Sequence, residues 1–264
     1  MPTFTQHAPG TFCWPELATT DSAAAKALYS ELFGWTALDF DMGPNGFYHI
    51  FQLGGRHSGA MYVLSPDMKA AGVPPHWGAF IAVVSADDSA KKAVELGGKL
   101  VMGPFDVGED GRLAIVTDPV GATINLWQGK ATPGVGVMYE PGSLAWTQLN
   151  VTDPAKAKAF YGGLFGWSAN DTAGPDGGTY TQFKMGENMI AGMMPMPAGV
   201  NAPSHWLTYF ASADVDASHA ILAKHGGKTF VPPSDIPGIG RFCVVADAQG
   251  AMFAIAKFLP PPEA

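Results

Sequence analysis

The sequence has little cysteine, little charge and no long apolar run. Its 264 residues include two cysteines, Cys13 and Cys243. Two are too few for a disulfide framework or a zinc knuckle, and they read as reduced, buried thiols. Charged residues make up 14% of the chain, well below the roughly 25% of ordinary domains. Hydrophobic residues make up 47%, which excludes disorder by composition. Only 15 lysines and arginines face 23 carboxylates, a net charge of −8. That balance excludes an electrostatic fit to nucleic acid or to an anionic membrane. No stretch reaches the roughly 18 apolar residues of a membrane-spanning helix. The opening MPTFTQHAPG has no basic segment leading into an apolar one, so no secretory leader and a cytoplasmic location are expected. There is no G-x-S-x-G, no Walker A and no G-x-G-x-x-G in a βαβ setting.

What the sequence does have is a repeat. WPELATTDSAAAKALYSELFGW begins at Trp14, and WTQLNVTDPAKAKAFYGGLFGW begins at Trp146. Asp21/Asp153, Tyr29/Tyr161 and Trp35/Trp167 stay in register between the two segments. A second block pairs His76-Trp77 with His205-Trp206, Gly97-Gly98-Lys99 with Gly226-Gly227-Lys228, and Asp118 with Asp247. The chain is a tandem duplication. Its Gly- and Pro-rich seam lies near 129–142, giving domains 1–135 and 136–264. Residues 1–10 and 259–264 read as loose tails.

Each copy reads as strand, helix and three strands, twice over. The first strands are expected at Phe12–Thr19 and Ala145–Val151. Asp21 and Asp153 are placed to cap the helices that follow, and Gly34 and Gly166 to end them. Helices are predicted near 21–33, 87–96, 153–165 and 214–225.

The order of these motifs resembles the vicinal oxygen chelate superfamily of glyoxalase, bleomycin-resistance and extradiol-dioxygenase proteins. More narrowly, it is similar to tandem glyoxalase-like proteins with two copies per chain. The resemblance implies an α+β fold of four βαβββ modules forming two glyoxalase-like incomplete-barrel domains, each around a cleft. It also implies a metal held by His, Glu or Gln side chains of the first and last strands. The matching positions here are Trp14, Gly78 and Asn125, and then Trp146, Leu207 and Ala254. None is an ordinary ligand for a divalent ion. No metal and no cofactor are therefore assigned. A shift of two residues would instead bring Glu16 toward His76 and Gln148 toward His205, two ligands per cleft with no third.

Strand alternation points Trp14 and Trp146 into the clefts, as stacking walls for a planar ligand or as plugs. Glu16 is the candidate acid or base, since a carboxylate between indoles has a raised pKa. Gln148, its counterpart, lacks that ability. Trp14, Trp146, Gln148, His76, His205 and Asn125 are the candidate substrate-binding residues. His76 and His205 also read as structural residues flanking a strand. Arg112 and Arg241 read as clamps for a carboxylate or as surface ion pairs. Two functions follow: a metal-free cleft that binds or transforms a small organic compound, or a metal-dependent lyase, isomerase or dioxygenase using a shifted ligand set. The sequence leaves open whether the protein is an enzyme, and its oligomeric state.

Overall fold

The computed structural model describes residues 3–174, 177–197, 199–200 and 202–259. The first half runs β1 (Phe12–Thr19), α1 (Ser22–Phe33), β2 (Thr36–Asp41), β3 (Phe47–Leu53), β4 (Arg56–Val63) and a short α2 (Pro66–Ala70). It continues with β5 (His76–Ala82), α3 (Ala86–Glu95), β6 (Lys99–Val107), β7 (Gly111–Thr117) and β8 (Thr123–Gly129). The second half repeats this, without α2 among the described residues: β9 (Leu144–Val151), α4 (Pro154–Phe165), β10 (Ser168–Ala173), β11 (Thr179–Met185) and β12 (Asn188–Pro195). Then come β13 (His205–Ala211), α5 (Val215–Lys224), β14 (Lys228–Ile236), β15 (Gly240–Ala246) and β16 (Met252–Phe258).

The helices start where the Asp positions place them. The Asp21 carboxylate accepts the Ala24 N–H at 3.0 Å, and that of Asp153 accepts the Lys156 N–H at 3.1 Å. Gly34 and Gly166 close α1 and α4 in the left-handed conformation, at φ 70° and 73°, which a Cβ would disfavour.

Each half forms one eight-stranded sheet, ordered β2-β3-β4-β1-β5-β8-β7-β6 and β10-β11-β12-β9-β13-β16-β15-β14. Two βαβββ modules of the same half thus meet edge to edge through an antiparallel pair, β1–β5 or β9–β13. The fold is α+β with two glyoxalase-like domains.

The helix-bearing faces of the two sheets pack on each other, with α1 against α5 and α3 against α4. One buried cluster joins Leu17, Tyr29, Trp35 and Trp77 of the first half to Phe210, Val245 and Phe253 of the second. The repeated motif residues hydrogen-bond across this seam. Tyr29 Oη donates to Asp247 Oδ2 at 2.9 Å and accepts from Trp77 Nε1 at 3.1 Å. Reciprocally, Tyr161 Oη donates to Asp118 Oδ2 at 2.9 Å and accepts from Trp206 Nε1 at 2.9 Å. Backbone N–H groups of the following turns satisfy the other carboxylate oxygens, from Ala122 at 2.8 Å and from Ala251 at 2.9 Å.

The seam and the first tail are less loose than their composition suggests. Val135 and Val137 are buried. Phe4 N–H donates to the Gly136 carbonyl, and Val135 N–H to that of Cys13. Apolar residues inside the Gly-rich stretch anchor it, a signal too short for periodicity to detect. Of the second tail, residues 260–264 lie outside the described residues.

Candidate functional site in the first cleft

Side chains on the face opposite the helices line the cleft of each sheet. In the first half, Glu16 stands opposite Ala60 on β4 and Gly78 on β5. Trp14 stands opposite Phe80, which in turn pairs with Asn125 on β8. Trp14, Gly78 and Asn125 therefore do not share one row. A Cβ on Gly78 would lie 3.0 Å from Asn125 Nδ2, so the Asn125 amide stands where a side chain at 78 would have to fit. Glu16 as a residue is half-buried.

Tyr48, from β3, donates its hydroxyl to Glu16 Oε2 at 2.6 Å. Burial pushes the Glu16 carboxyl up to about 7, and the Tyr48 hydrogen bond offsets only part of that. No cation contributes to the balance. Burial and the Glu16 charge likewise hold the Tyr48 phenol well above its ordinary value and raise that of Tyr62, on β4, to about 12. Tyr48 therefore stays a donor throughout the physiological range. Glu16 is a carboxyl poised between its two protonation states, with one oxygen fixed and the other free for a ligand. Neither Tyr48 nor Tyr62 stands out in the sequence. Their signal is the alternation of FYHIFQL and of HSGAMYV, which puts them on the same face as Glu16 once β3 and β4 are known to flank β1.

The second cleft is built differently. Gln148 pairs with Leu207, the counterpart of Gly78. Gln148, Leu207 and Tyr209 are all buried. The polar groups satisfy one another: Tyr209 Oη donates to Gln148 Oε1 at 3.3 Å, and Gln148 Nε2 to Asn150 Oδ1 at 3.0 Å. Asn150 Nδ2 lies 3.2 Å from His205 Nε2, while His205 Nδ1 lies 2.9 Å from the Pro203 carbonyl. Trp146 Nε1 donates to Tyr180 Oη at 3.1 Å. The polar side chains of this cleft are bonded to one another.

The two histidines are not brought onto Glu16 or Gln148. His76 stands opposite Ala18, one pleat beyond the Glu16–Gly78 pair, with Nδ1 2.8 Å from the Pro74 carbonyl. His205 stands opposite Asn150 and reaches Gln148 only through it. Strand register fixes both placements, since β1–β5 and β9–β13 show no shift at these pairs. Arg112 and Arg241 point away from the clefts. Arg112 Nε pairs with Asp87 of α3 at 2.6 Å, and Arg241 Nε with Asp216 of α5 at 2.7 Å. Cys13 and Cys243 are free and buried.

The donor set does not fit a divalent metal. The row that holds Glu16 supplies one carboxylate, a glycine and an alanine, and Asn125 adds a neutral amide. Its counterpart supplies Gln148, Leu207 and Gly192. Among the described residues no three His, Cys, Asp or Glu side chains gather as ligands.

Comparison with known proteins bears on the family and the fold. The model of the Glyoxalase/Bleomycin resistance protein/Dioxygenase superfamily matches residues 11–126 and 143–255. The chain belongs to this superfamily. It is 38% identical to CFP32 of Mycobacterium tuberculosis, which carries a glyoxylase name, over 98% of this chain and 99% of that one. It is 30% identical to the anthracycline biosynthesis protein DnrV of Streptomyces peucetius, over 96% and 95%. Among solved structures, the Mn(II)-bound glyoxalase from Novosphingobium aromaticivorans superposes with a TM-score of 0.66 at 13% identity, covering 94% of this chain and 82% of that one. The 2,3-dioxygenase LapB from Pseudomonas sp. KL28 superposes at 0.63 and 12% identity, covering 96% and 95%. At such identities the likeness concerns the fold alone.

Proposed function

We propose that the first half holds the working cleft of this superfamily member. It binds a small organic molecule and exchanges a proton with it through Glu16, without a metal. The observation that carries this reading is the contrast at one position of the repeat. Glu16, opposite Gly78, is half-buried, whereas its counterpart Gln148, opposite Leu207, is buried. Below about pH 7 the neutral carboxyl donates a hydrogen bond or a proton to an acceptor atom of the ligand. Above it, the carboxylate withdraws a proton. Tyr48 holds the other oxygen in place in both states, and Trp14 and Asn125 line the space around it. The name of DnrV links that protein to the biosynthesis of a small organic compound, which supports the same class of ligand here. The second half is a scaffold that retains the fold, with the domain boundary at 135/136. No helix among the described residues is long and apolar enough to cross a membrane, and the protein is assigned to the cytoplasm.

Elemental analysis after dialysis against EDTA, followed by titration with Mn²⁺, Fe²⁺, Ni²⁺ and Zn²⁺, tests the metal-free reading. The expected result is no stoichiometric metal before or after titration. One tightly held ion per chain that disappears in Glu16→Gln would overturn it.

A further inference from the structure

We propose that the first cleft takes an uncharged, fused-ring aromatic molecule held between two apolar arms of the sheet. The inference rests on the reading of the Glu16 cleft as the working one. On one side the register runs Leu38–Ile50–Ala60–Glu16, with Phe40–Tyr48–Tyr62 as the next row. Leu38 and Phe40 therefore face the same way as Glu16. On the other side Asn125 leads through Ile115 to Met102, and Trp127 through Leu113 to Phe105. Both arms end in large apolar side chains that water still reaches: Leu38 is 41% exposed, Phe40 46%, Met102 45% and Phe105 38%.

These side chains stand on edge strands, where polar and charged residues are the usual protection against pairing. Packing under the helices cannot account for them, because α1 and α3 cover the opposite face. The second half supplies the control. At the same register positions it carries Asn170 and Thr172 on one arm and Val231 and Ser234 on the other. The apolar arms thus occur with the half-buried Glu16 and are lost, at all but one of these positions, where its counterpart Gln148 is buried.

The size and charge of the occupant follow. From β1 to β2 is three strand spacings, ~14 Å at about 4.8 Å each, a span suited to an extended ring system. No lysine or arginine stands in the rows just named. Lys99, in the row Thr123–Thr117–Lys99, is exposed on β6, four strands from Glu16. An anion would meet Glu16 and a net charge of −8 with no partner. A cation would have to leave water for leucine, phenylalanine and methionine, with one Tyr48-bonded carboxyl to receive it. A neutral ring with a carbonyl or hydroxyl oxygen at Glu16 satisfies every group present.

The test is isothermal titration of the full chain at pH 6.5 with 1,8-dihydroxyanthraquinone and, separately, with anthraquinone-2-sulfonate. The expected result is one saturable site for the neutral probe and at least fivefold weaker binding of the sulfonate. Leu38→Asn with Phe40→Thr, which copies the second half, should weaken the neutral probe at least fivefold, as should Met102→Thr with Phe105→Ser. These side chains are partly exposed, so the fold should survive both changes. Absence of binding, equal binding of the sulfonate, or a smaller effect of both arm variants overturns the proposal. Glu16→Gln separates the two readings. If it leaves probe affinity and its pH dependence unchanged while the arm variants lose affinity, the arms stand and the role of Glu16 falls. If it alone removes binding, the arms fall and Glu16 stands.

Discussion

Glu16 shows how one residue's surroundings set its chemistry. Gln148 occupies the same place in the repeat, yet it is a buried amide bonded to Tyr209 and Asn150. The carboxyl at Glu16 is raised from 4.5 to about 7 because burial penalises its charge. The linkage to stability has a definite sign. Between pH 4.5 and 7 the folded chain keeps a proton that the unfolded chain has released, so Glu16 lowers stability as pH rises through that window. Above about 7 the cost is complete. Glu16→Gln should therefore leave the thermal midpoint unchanged below pH 4.5 and raise it at pH 8, as followed by circular dichroism. An equal shift at both pH values would show that the carboxyl is not raised. Residue type and strand parity are enough to point to Glu16. Tyr48 is not legible in the same way, because its contact with Glu16 depends on which strand lies beside β1, and that is a long-range pairing.

At the scale of elements, the local signals are strong where they are chemical. An aspartate before an apolar helix and a glycine after it define α1 and α4, and both caps form the expected hydrogen bonds. The short α2 has no counterpart among the described residues of the second half and too few residues for a periodic signal. Strand register is the weaker link. Counting residues from the capping aspartate puts Trp14 in the ligand row with Gly78. The antiparallel β1–β5 pairing instead puts Glu16 opposite Gly78 and Trp14 opposite Phe80. A two-residue error keeps the same face of the sheet, so parity alone cannot expose it. The exposed apolar residues of β2 and β6 carry no meaning in sequence. They gain it only when their rows lead to Glu16.

The whole molecule is held together by its repeated motif. Tyr29, Trp77 and Asp247 form one cross-half cluster, and Tyr161, Trp206 and Asp118 the other. The recurrence of these residues is plain in the sequence, but their partnership is not, because each cluster draws on both halves. Tyr29→Phe removes a donor from a buried carboxylate and an acceptor from an indole. It should cost about 1.5–3 kcal/mol in chemical denaturation, with Tyr161→Phe costing the same and the pair adding. A change below about 0.5 kcal/mol would show that these bonds do not tie the halves together.

The proposed chemistry needs a protonatable carboxyl at Glu16 that binds no metal. The ¹³C NMR signal of the Glu16 side-chain carboxyl, assigned by its loss in Glu16→Gln, measures it directly. A titration midpoint near 7 is expected in EDTA, unmoved by stoichiometric Zn²⁺ and not selectively broadened by Mn²⁺. A midpoint near 4.5, or a carboxyl held ionised by added metal, would contradict it.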